Sequence, residues 1–299
     1  MQARFSDYVH LHFIVFIWGF TAILGKLITL PSLELVVYRT GLAAIGMALW
    51  LFFTKGWRKV SLLDLGKFSA VGLLIALHWF CFFESIKISN VSVAVGGLSC
   101  STLFTSFMEP MVQKRRIYWP EVILGIGVIF GLYLITQYAF DYLAGILLGI
   151  AAGFFSSMFG VFNKQLVAQN HPPPLLSFYE VATVFLLLSL VMDFNPAKSV
   201  WPWQVSLSDW AWLLLLAWAC TTYAFIANVY LLRRISAFAV ALAVNLEPIY
   251  SIILAWLIFK DSEQMNAGFY AGAFLIILSV FIYPWLKKQF KYSAPNPNP

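Results

Sequence analysis

The sequence predicts an all-α integral membrane protein with ten transmembrane helices, arranged as 5+5 inverted repeats. The first observation behind this prediction is composition: 61% of the 299 residues are hydrophobic and 11% are charged, and the mean hydropathy is +0.83. A soluble domain of this length cannot bury so much apolar surface, so the surrounding solvent must be lipid. The other two observations are a regular series of apolar runs and an internal repeat.

The apolar runs are each about 20 residues long, which is enough for a helix to cross a hydrocarbon core of about 30 Å. They cover residues 9–30, 33–53, 67–87, 91–112, 119–138, 142–166, 175–193, 209–231, 236–259 and 266–286. The tail 291–299 is rich in Pro and Asn, and we expect it to be disordered.

Positive charge alternates between the segments that connect these spans. Basic residues follow or end every even-numbered span: Lys55, Arg58, Lys59, Lys67, Lys114, Arg115, Arg116, Lys164, Arg233, Arg234, Lys287, Lys288 and Lys291. The alternate loops are neutral or acidic. Their acidic residues are Glu34, Asp141, Asp193, Asp209, Asp261 and Glu263, and their only basic residues are Lys87, Lys198 and Lys260. Since basic loops stay in the cytoplasm, we expect both termini there. The formal net charge of +6 is therefore assigned to membrane orientation, and no nucleic-acid partner is expected.

The internal repeat aligns residues 78–135 with residues 225–282 without a gap, at an offset of 147 positions. Ile88-Ser89 falls on Ile235-Ser236, and the apolar and polar segments follow in the same order. The offset carries spans three to five onto spans eight to ten, so each repeat holds five spans. An odd number of spans inverts the second repeat relative to the first. We expect the repeats at 1–139 and 140–290, with a cavity between them.

Several short motifs at these positions resemble one known family. They are Trp18-Gly19 followed by Lys26, Arg39 in span two, Ile88-Ser89 with Ala94, and Leu246-Glu247-Pro248 in span nine. With them the chain resembles the ten-span EamA-type exporters of the drug/metabolite transporter superfamily. The resemblance implies export of amino acids and other small metabolites across the bacterial inner membrane.

Glu247 is the leading candidate for a functional residue. It stands about 11 residues into span nine, or about 16 Å along a helix, which is near the middle of the bilayer. A carboxylate at that depth must be protonated, paired or facing water. Pro248 has no amide to donate to the carbonyl of Val244, so we expect a helix kink beside Glu247. A substrate or proton site is one interpretation, and a hydrogen bond to a neighbouring helix is the other.

Four further residues are candidates for the substrate site. His78 and Trp18 lie near the middle of their spans, where an imidazole and an indole ring can contact a substrate. Asn228 and Asn245 lie at lipid depth, where an amide must face protein or water. For each of them, packing or a hydrogen bond between helices is the alternative.

Ionisable residues nearer the membrane surfaces are candidates for two gates. Lys26, Arg39 and Glu84 fall in the outer half of the predicted topology, and Glu109 and Glu180 fall in the inner half. Glu34 and Lys87 join the outer set, and Lys164 and Arg233 join the inner set. Both sets therefore mix signs, so ion pairs could close the two sides in turn. Static interfacial ion pairs and lysines that reach the surface are the alternative.

Close helix packing and an absence of enzyme motifs complete the expectations. Gly145, Gly149 and Gly153 recur every four residues, which lets helices approach closely. The sequence holds no phosphate-binding loop, zinc motif or nucleophile elbow. No cofactor, metal or enzymatic activity is therefore expected. The expected partners are a small-molecule substrate and the lipid bilayer, with protons as a candidate coupling ion and the oligomeric state left open.

Together these features predict a secondary transporter that exports small metabolites by alternating access, with amino acids or related compounds as the favoured substrates. A translocator of amphipathic or lipid-linked substrates is the alternative if the cavity opens sideways to lipid. A membrane-embedded enzyme would require a denser polar cluster than His78 and Glu247.

Overall fold

The structure is a computed structural model that describes residues 3–136, 142–193, 199–259 and 267–289. All regular structure in these ranges is helical, which confirms the predicted class for them. Several residues used to predict topology lie outside the described residues: Asp141, Lys198, Lys260, Asp261, Glu263, Lys291 and the rest of the tail 291–299.

Thirteen α-helices are present in the described part of the chain. The first six are α1 (Phe5–Leu27), α2 (Ser32–Phe53), α3 (Leu62–Ile88), α4 (Val91–Leu98), α5 (Ser101–Val112) and α6 (Trp119–Thr136). The next four are α7 (Leu143–Ala168), α8 (Pro173–Asp193), α9 (Leu207–Ala217) and α10 (Ala224–Leu231). A 3₁₀ turn at Pro202–Gln204 precedes α9, and a π-helical turn at Trp218–Tyr223 joins α9 to α10. The last three are α11 (Ala237–Val244), α12 (Glu247–Phe259) and α13 (Ala267–Gln289).

Seven helical stretches are long and apolar enough to cross a membrane, counting α9–α10 and α11–α12 as one each. Two shorter apolar helices lie at Trp119–Leu134 and Tyr270–Leu286. The described residues therefore form a multi-pass helical bundle.

Side-chain caps start the same helices in both repeats. At the starts of α3 and α9, the side chains of Ser61 and Ser206 each accept a hydrogen bond from the backbone amide three residues later. Asn90 and Ser236 do the same for α4 and α11. Each cap satisfies an amide that has no partner within its helix. The repeated caps align the helix starts of the two halves.

Two spans are broken at matching positions. The fourth span stops at Leu98 and restarts at Ser101, and the ninth stops at Val244 and restarts at Glu247. Pro248 lies in the first turn of α12, where its missing amide leaves no hydrogen bond unmade. The predicted interruption therefore lies just before Glu247, as a break between two helices.

The predicted glycine row packs against the broken fourth span. A Cβ atom at Gly149 would lie 3.0 Å from the Cα of Gly97, and one at Gly153 would lie 2.8 Å from the carbonyl oxygen of Leu98. Only glycine permits backbones this close. The predicted packing function of the row is confirmed, and it brings α7 against the break.

Polar contacts divide the bundle into two ends. The near end is where α1 begins, and there Arg234 pairs with Asp7 at 3.0 Å. The far end is where α1 stops, and there Thr29 donates its amide to Asp209 at 2.8 Å. Basic residues from loops that are distant in sequence gather at the near end: Lys67, Arg115, Lys164 and Arg234. The arrangement brings the predicted basic loops to one side of the bundle.

Candidate functional site

A cavity of about 100 Å³ lies inside the bundle, between the two halves of the chain. Its walls come from α1, α2, α3, α4, α5, α7, the π turn, α10, α11 and α12. Four of the five predicted substrate-binding residues line it: Trp18, His78, Asn228 and Glu247. Arg39, a predicted gate residue, lines it as well.

Arg39 is the cationic group of the cavity and is only 2% exposed. Its Nε donates to the Oγ1 of Thr221 at 2.7 Å, and its Cζ lies 4.3 Å from the centre of the Trp79 ring. Its Nη1 has no hydrogen-bond acceptor among the described residues. A buried guanidinium with a free N–H group is prepared to bind an anionic partner.

Arg39 is held by the π-helical turn, which no sequence motif predicts. The hydroxyl of Thr221 donates to the carbonyl of Leu216, five residues earlier, at 2.9 Å, so the same oxygen accepts from Arg39 through a lone pair. The turn also presents the carbonyl of Cys220 to the indole of Trp18, at 3.1 Å. Single π turns inside helices occur frequently at functional sites. The available sequence signal was the polar pair Thr221-Thr222 within an apolar span.

Glu247 is the acidic group of the cavity. It is the first residue of α12 and is 5% exposed. The start of a helix carries partial positive charge, which favours an acidic side chain there. Glu247 and Arg39 interact electrostatically across the cavity, but no ion pair or hydrogen bond joins these two described residues. Both side chains thus remain available to a molecule between them.

His78 has a defined hydrogen bond on one side of its ring. Its Nδ1 lies 2.9 Å from the carbonyl oxygen of Ala152, which can only accept, so Nδ1 carries a hydrogen. In the neutral ring the other nitrogen, Nε2, is then an acceptor. Rings of Phe82 and Phe159 flank His78 at 6.2 and 5.3 Å between centroids. His78 therefore combines an acceptor with an aromatic wall.

Hydroxyl groups line another part of the cavity, and no sequence pattern marks them in advance. They belong to Ser101, Thr105, Ser156 and Ser157 on α5 and α7. The hydroxyls of Thr105 and Ser157 lie 3.0 Å apart. Isolated serines and threonines in apolar spans are common, so only their convergence identifies this surface.

Asn245 is the predicted substrate residue that the cavity wall does not include. It lies in the turn between α11 and α12, where its amide donates to the hydroxyl of Thr102 and to the carbonyl of Ala241, the latter at 3.1 Å. Its side chain thus joins the two broken spans, because a break exposes backbone carbonyls that need donors.

The other predicted gate residues lie away from the cavity wall. Lys26 is exposed in the last turn of α1, and Glu84 is half-buried in α3. Glu109 is buried at the near end, where its carboxylate accepts the amides of Ala237 and Phe238 at 3.0 and 3.1 Å. Glu180 is fully buried between α7 and α8. The described residues hold no cluster of three or more potential metal ligands.

The comparisons with known proteins decide the family. The sequence matches the EamA-like transporter family twice in tandem, over residues 9–137 and 143–283. The chain belongs to the EamA-like transporter family. An EamA-like chain is a multi-pass membrane protein and a transporter of small solutes, and the resemblance found in the motifs is confirmed.

This EamA-like chain is similar to a solved structure described as "Crystal structure of protein". It covers 97% of this chain and 100% of its own, with a TM-score of 0.75 and 15% sequence identity. At this identity the similarity shows the fold alone. No curated protein sequence matches the chain.

Proposed function

We propose that this EamA-like protein is a ten-span secondary transporter that exports zwitterionic metabolites, with amino acids as the substrate class. The ten spans are α1, α2, α3, α4–α5, α6, α7, α8, α9–α10, α11–α12 and α13. In this proposal the repeats are inverted, the near end and both termini face the cytoplasm, and the membrane is the bacterial inner membrane. The gathering of basic loops at the near end supports this orientation.

One observation carries the substrate class. Arg39 and Glu247 place a guanidinium and a carboxyl group on one small cavity, with no ion pair between them. An amino acid between them would direct its carboxylate to the free Nη1 of Arg39 and its ammonium group to Glu247. Each buried charge would then gain the partner that a low-dielectric site requires. Trp18, Trp79 and His78 would surround the rest of the molecule.

The positions of the polar networks support alternating access as the mechanism. At the near end, Arg115 bridges Glu109 and Glu121 at 3.3 and 3.1 Å, which ties α5 and α6 to the start of α11. At the far end, Asp209 ties α9 to the segment after α1. We propose that these networks open in turn, with the broken helices as hinges.

Flux into and out of proteoliposomes tests the function. Vesicles with purified protein should exchange a radiolabelled amino acid from a panel of neutral side chains, and the product should be chemically unchanged. Unlabelled analogues that lack either the amine or the carboxylate should compete at least tenfold less well, because each misses one charge. Uptake equal to that of protein-free vesicles for the whole panel would refute the proposal, and altered product would indicate an enzyme.

A further inference from the structure

A second polar site lies outside the cavity, between α7 and α8. The Nδ2 of Asn163 donates to the Oε2 of Glu180 at 3.3 Å. The two side chains are 1% and 0% exposed. Neither residue lines the cavity. The pair is therefore a buried carboxyl–amide unit separate from the site assigned to substrate.

Three oxygens at this unit have no hydrogen-bond partner among the described residues. They are the Oε1 of Glu180, the Oδ1 of Asn163 and the hydroxyl of Ser177, which precedes Glu180 by about one turn of α8. Buried polar atoms are nearly always paired, so each exception needs an explanation. Oxygen atoms from three side chains, one of them a carboxyl group, indicate a cation as the missing ligand.

The cations on the surrounding helices bond elsewhere, including Lys87 of α3, which reaches the carbonyl of Ile28. On α3, Lys67 pairs with Asp64 at 2.9 Å, and His78 bonds to Ala152. On α2, Arg39 bonds to Thr221, and on α7, Lys164 reaches the carbonyl of Ile235 at 2.9 Å. None of these cations forms an ion pair with Glu180 within the described residues. The described residues thus supply an amide to this carboxyl group but no counter-charge.

We propose that Glu180 and Asn163 form a cation site that takes a proton and couples it to transport through the separate cavity. The asparagine amide suits both forms of the carboxyl group. When Glu180 is charged, Nδ2 donates to it; when Glu180 is protonated, the amide turns and Oδ1 accepts the new O–H group. On release the O–H bond breaks, its electron pair stays on the carboxylate oxygen, and water at the open side takes the proton.

The helices that enclose this site also form the cavity wall. Gly72 of α3 lies against Glu180 so closely that a Cβ atom there would be 2.7 Å from the Glu180 carbonyl oxygen. His78, about 9 Å further along α3, lines the cavity. On α7, Gly160 lines the cavity one turn before Asn163. A shift of α3 against α7 and α8 therefore changes both sites, which is the linkage that coupling requires.

The coupling test uses proteoliposomes with an imposed pH gradient, and it rests on the proposed transport function. Wild-type flux of the amino acid should respond to the gradient. E180Q, which resembles the protonated carboxyl group in shape and charge, should still exchange substrate but lose that response. D193N at the exposed end of α8 is the matched control and should keep it. A gradient response that persists in E180Q overturns the coupling. A sodium-gradient response that E180Q abolishes keeps the cation site but overturns the proton as its ligand.

Infrared spectroscopy tests the site without relying on transport. Purified wild-type protein titrated with acid should show the carbonyl band of a protonated carboxyl group that E180Q lacks. N163A should shift this band without removing it, because the amide partner is lost while the carboxyl group remains. Identical spectra for wild type and E180Q overturn the proton site, whether or not the protein transports the panel compounds. Absence of flux together with the Glu180 band refutes the substrate proposal and leaves the proton site standing.

Discussion

The guanidinium of Arg39 and the hydroxyl of Thr221 form a 2.7 Å hydrogen bond across 182 residues of sequence. The bond joins α2 of the first repeat to the π turn of the second. It directs the plane of the guanidinium while leaving Nη1 free of partners from the described residues. Thr221 therefore positions a charge that belongs to the substrate cavity, although it does not line that cavity itself.

Removal of the Thr221 hydroxyl should weaken substrate binding. Thr221→Val keeps the branched shape, but Arg39 loses a hydrogen bond of the kind that contributes about 1.5–3 kcal/mol with charged partners. We expect KM to rise about tenfold or more with a smaller change in maximal rate. Thr222→Val is the control, because its hydroxyl bonds to the carbonyl of Ala43 and not to Arg39. Equal KM values in both variants would contradict the positioning function.

Neutralising Glu247 should lower affinity for the amine end of the substrate. Glu247→Gln keeps size and hydrogen bonding, so we expect a folded protein with impaired transport. If Glu247 binds the amine and Glu180 takes the proton, KM rises and the remaining flux keeps its pH response. The measurement is flux from about pH 5 to 8, the range in which a histidine or a perturbed carboxyl group titrates. Wild-type kinetics throughout would reduce Glu247 to a structural residue.

Gly160 should limit the size of the substrate. It lines the cavity, and a Cβ atom built on it meets nothing within 4 Å, so a larger side chain there would occupy cavity space. We expect Gly160→Leu to reduce flux of aromatic amino acids more than flux of alanine. Gly66→Leu is the control, since Gly66 is equally open, lies in a helix and does not line the cavity. Both variants gain helix propensity of about 1 kcal/mol, so that effect cancels. A uniform loss across all substrate sizes would contradict the prediction.

Glu109 should hold the near end closed. Its carboxylate accepts two amides at the start of α11 and pairs with Arg115, and Glu109→Gln removes the charge that all three donors favour. We expect a shift towards near-end opening, measured as longer spin-label distances across that end. The control is Asp193→Asn, which alters an exposed carboxyl group at the end of α8. An unchanged distance distribution in Glu109→Gln would indicate a static network.

Topology is tested by labelling single cysteines after Cys81, Cys100 and Cys220 have been replaced. Lys59 and Lys114 are exposed at the near end, and Trp203 is 78% exposed in the loop before α9. We expect cysteines at Lys59 and Lys114 to react only from the cytoplasm, and one at Trp203 only from outside. Arg115 is unsuitable because it is buried in its ion pairs. Labelling of all three positions from one side would contradict the orientation and the inverted repeat.

Hydrophobicity and charge were sufficient to predict the helical class and the depth of the cavity residues. Trp18, His78, Asn228 and Glu247 stand mid-span in sequence and meet at one cavity in the structure. Their depth is predictable because residues rise at a fixed distance along each helix. Their convergence depends on how each helix is rotated about its axis and on which helices pack beside it. No pattern in a single sequence indicates either of these.

Partners contributed by the backbone could not be predicted. Glu109 accepts hydrogen bonds from backbone amides about 128 positions away. Every residue except proline has such an amide, so the sequence does not mark which one will be the partner. Asn245 likewise is a polar residue within an apolar span, as expected of a cavity residue, yet its amide donates to a backbone carbonyl beside the helix break. The break in the fourth span lacks the proline that marks its counterpart in the ninth.

The two matched breaks share a backbone but differ in side-chain chemistry. Both copies of the duplicated unit keep the interrupted backbone, but position 100 holds a cysteine where position 247 holds a carboxylic acid. The interrupted backbone is therefore present in both repeats, whereas the acidic side chain is present in only one. A carboxylate at position 100 would stand between the cavity residues Leu98 and Ser101 and would give the first break the same chemistry as the second.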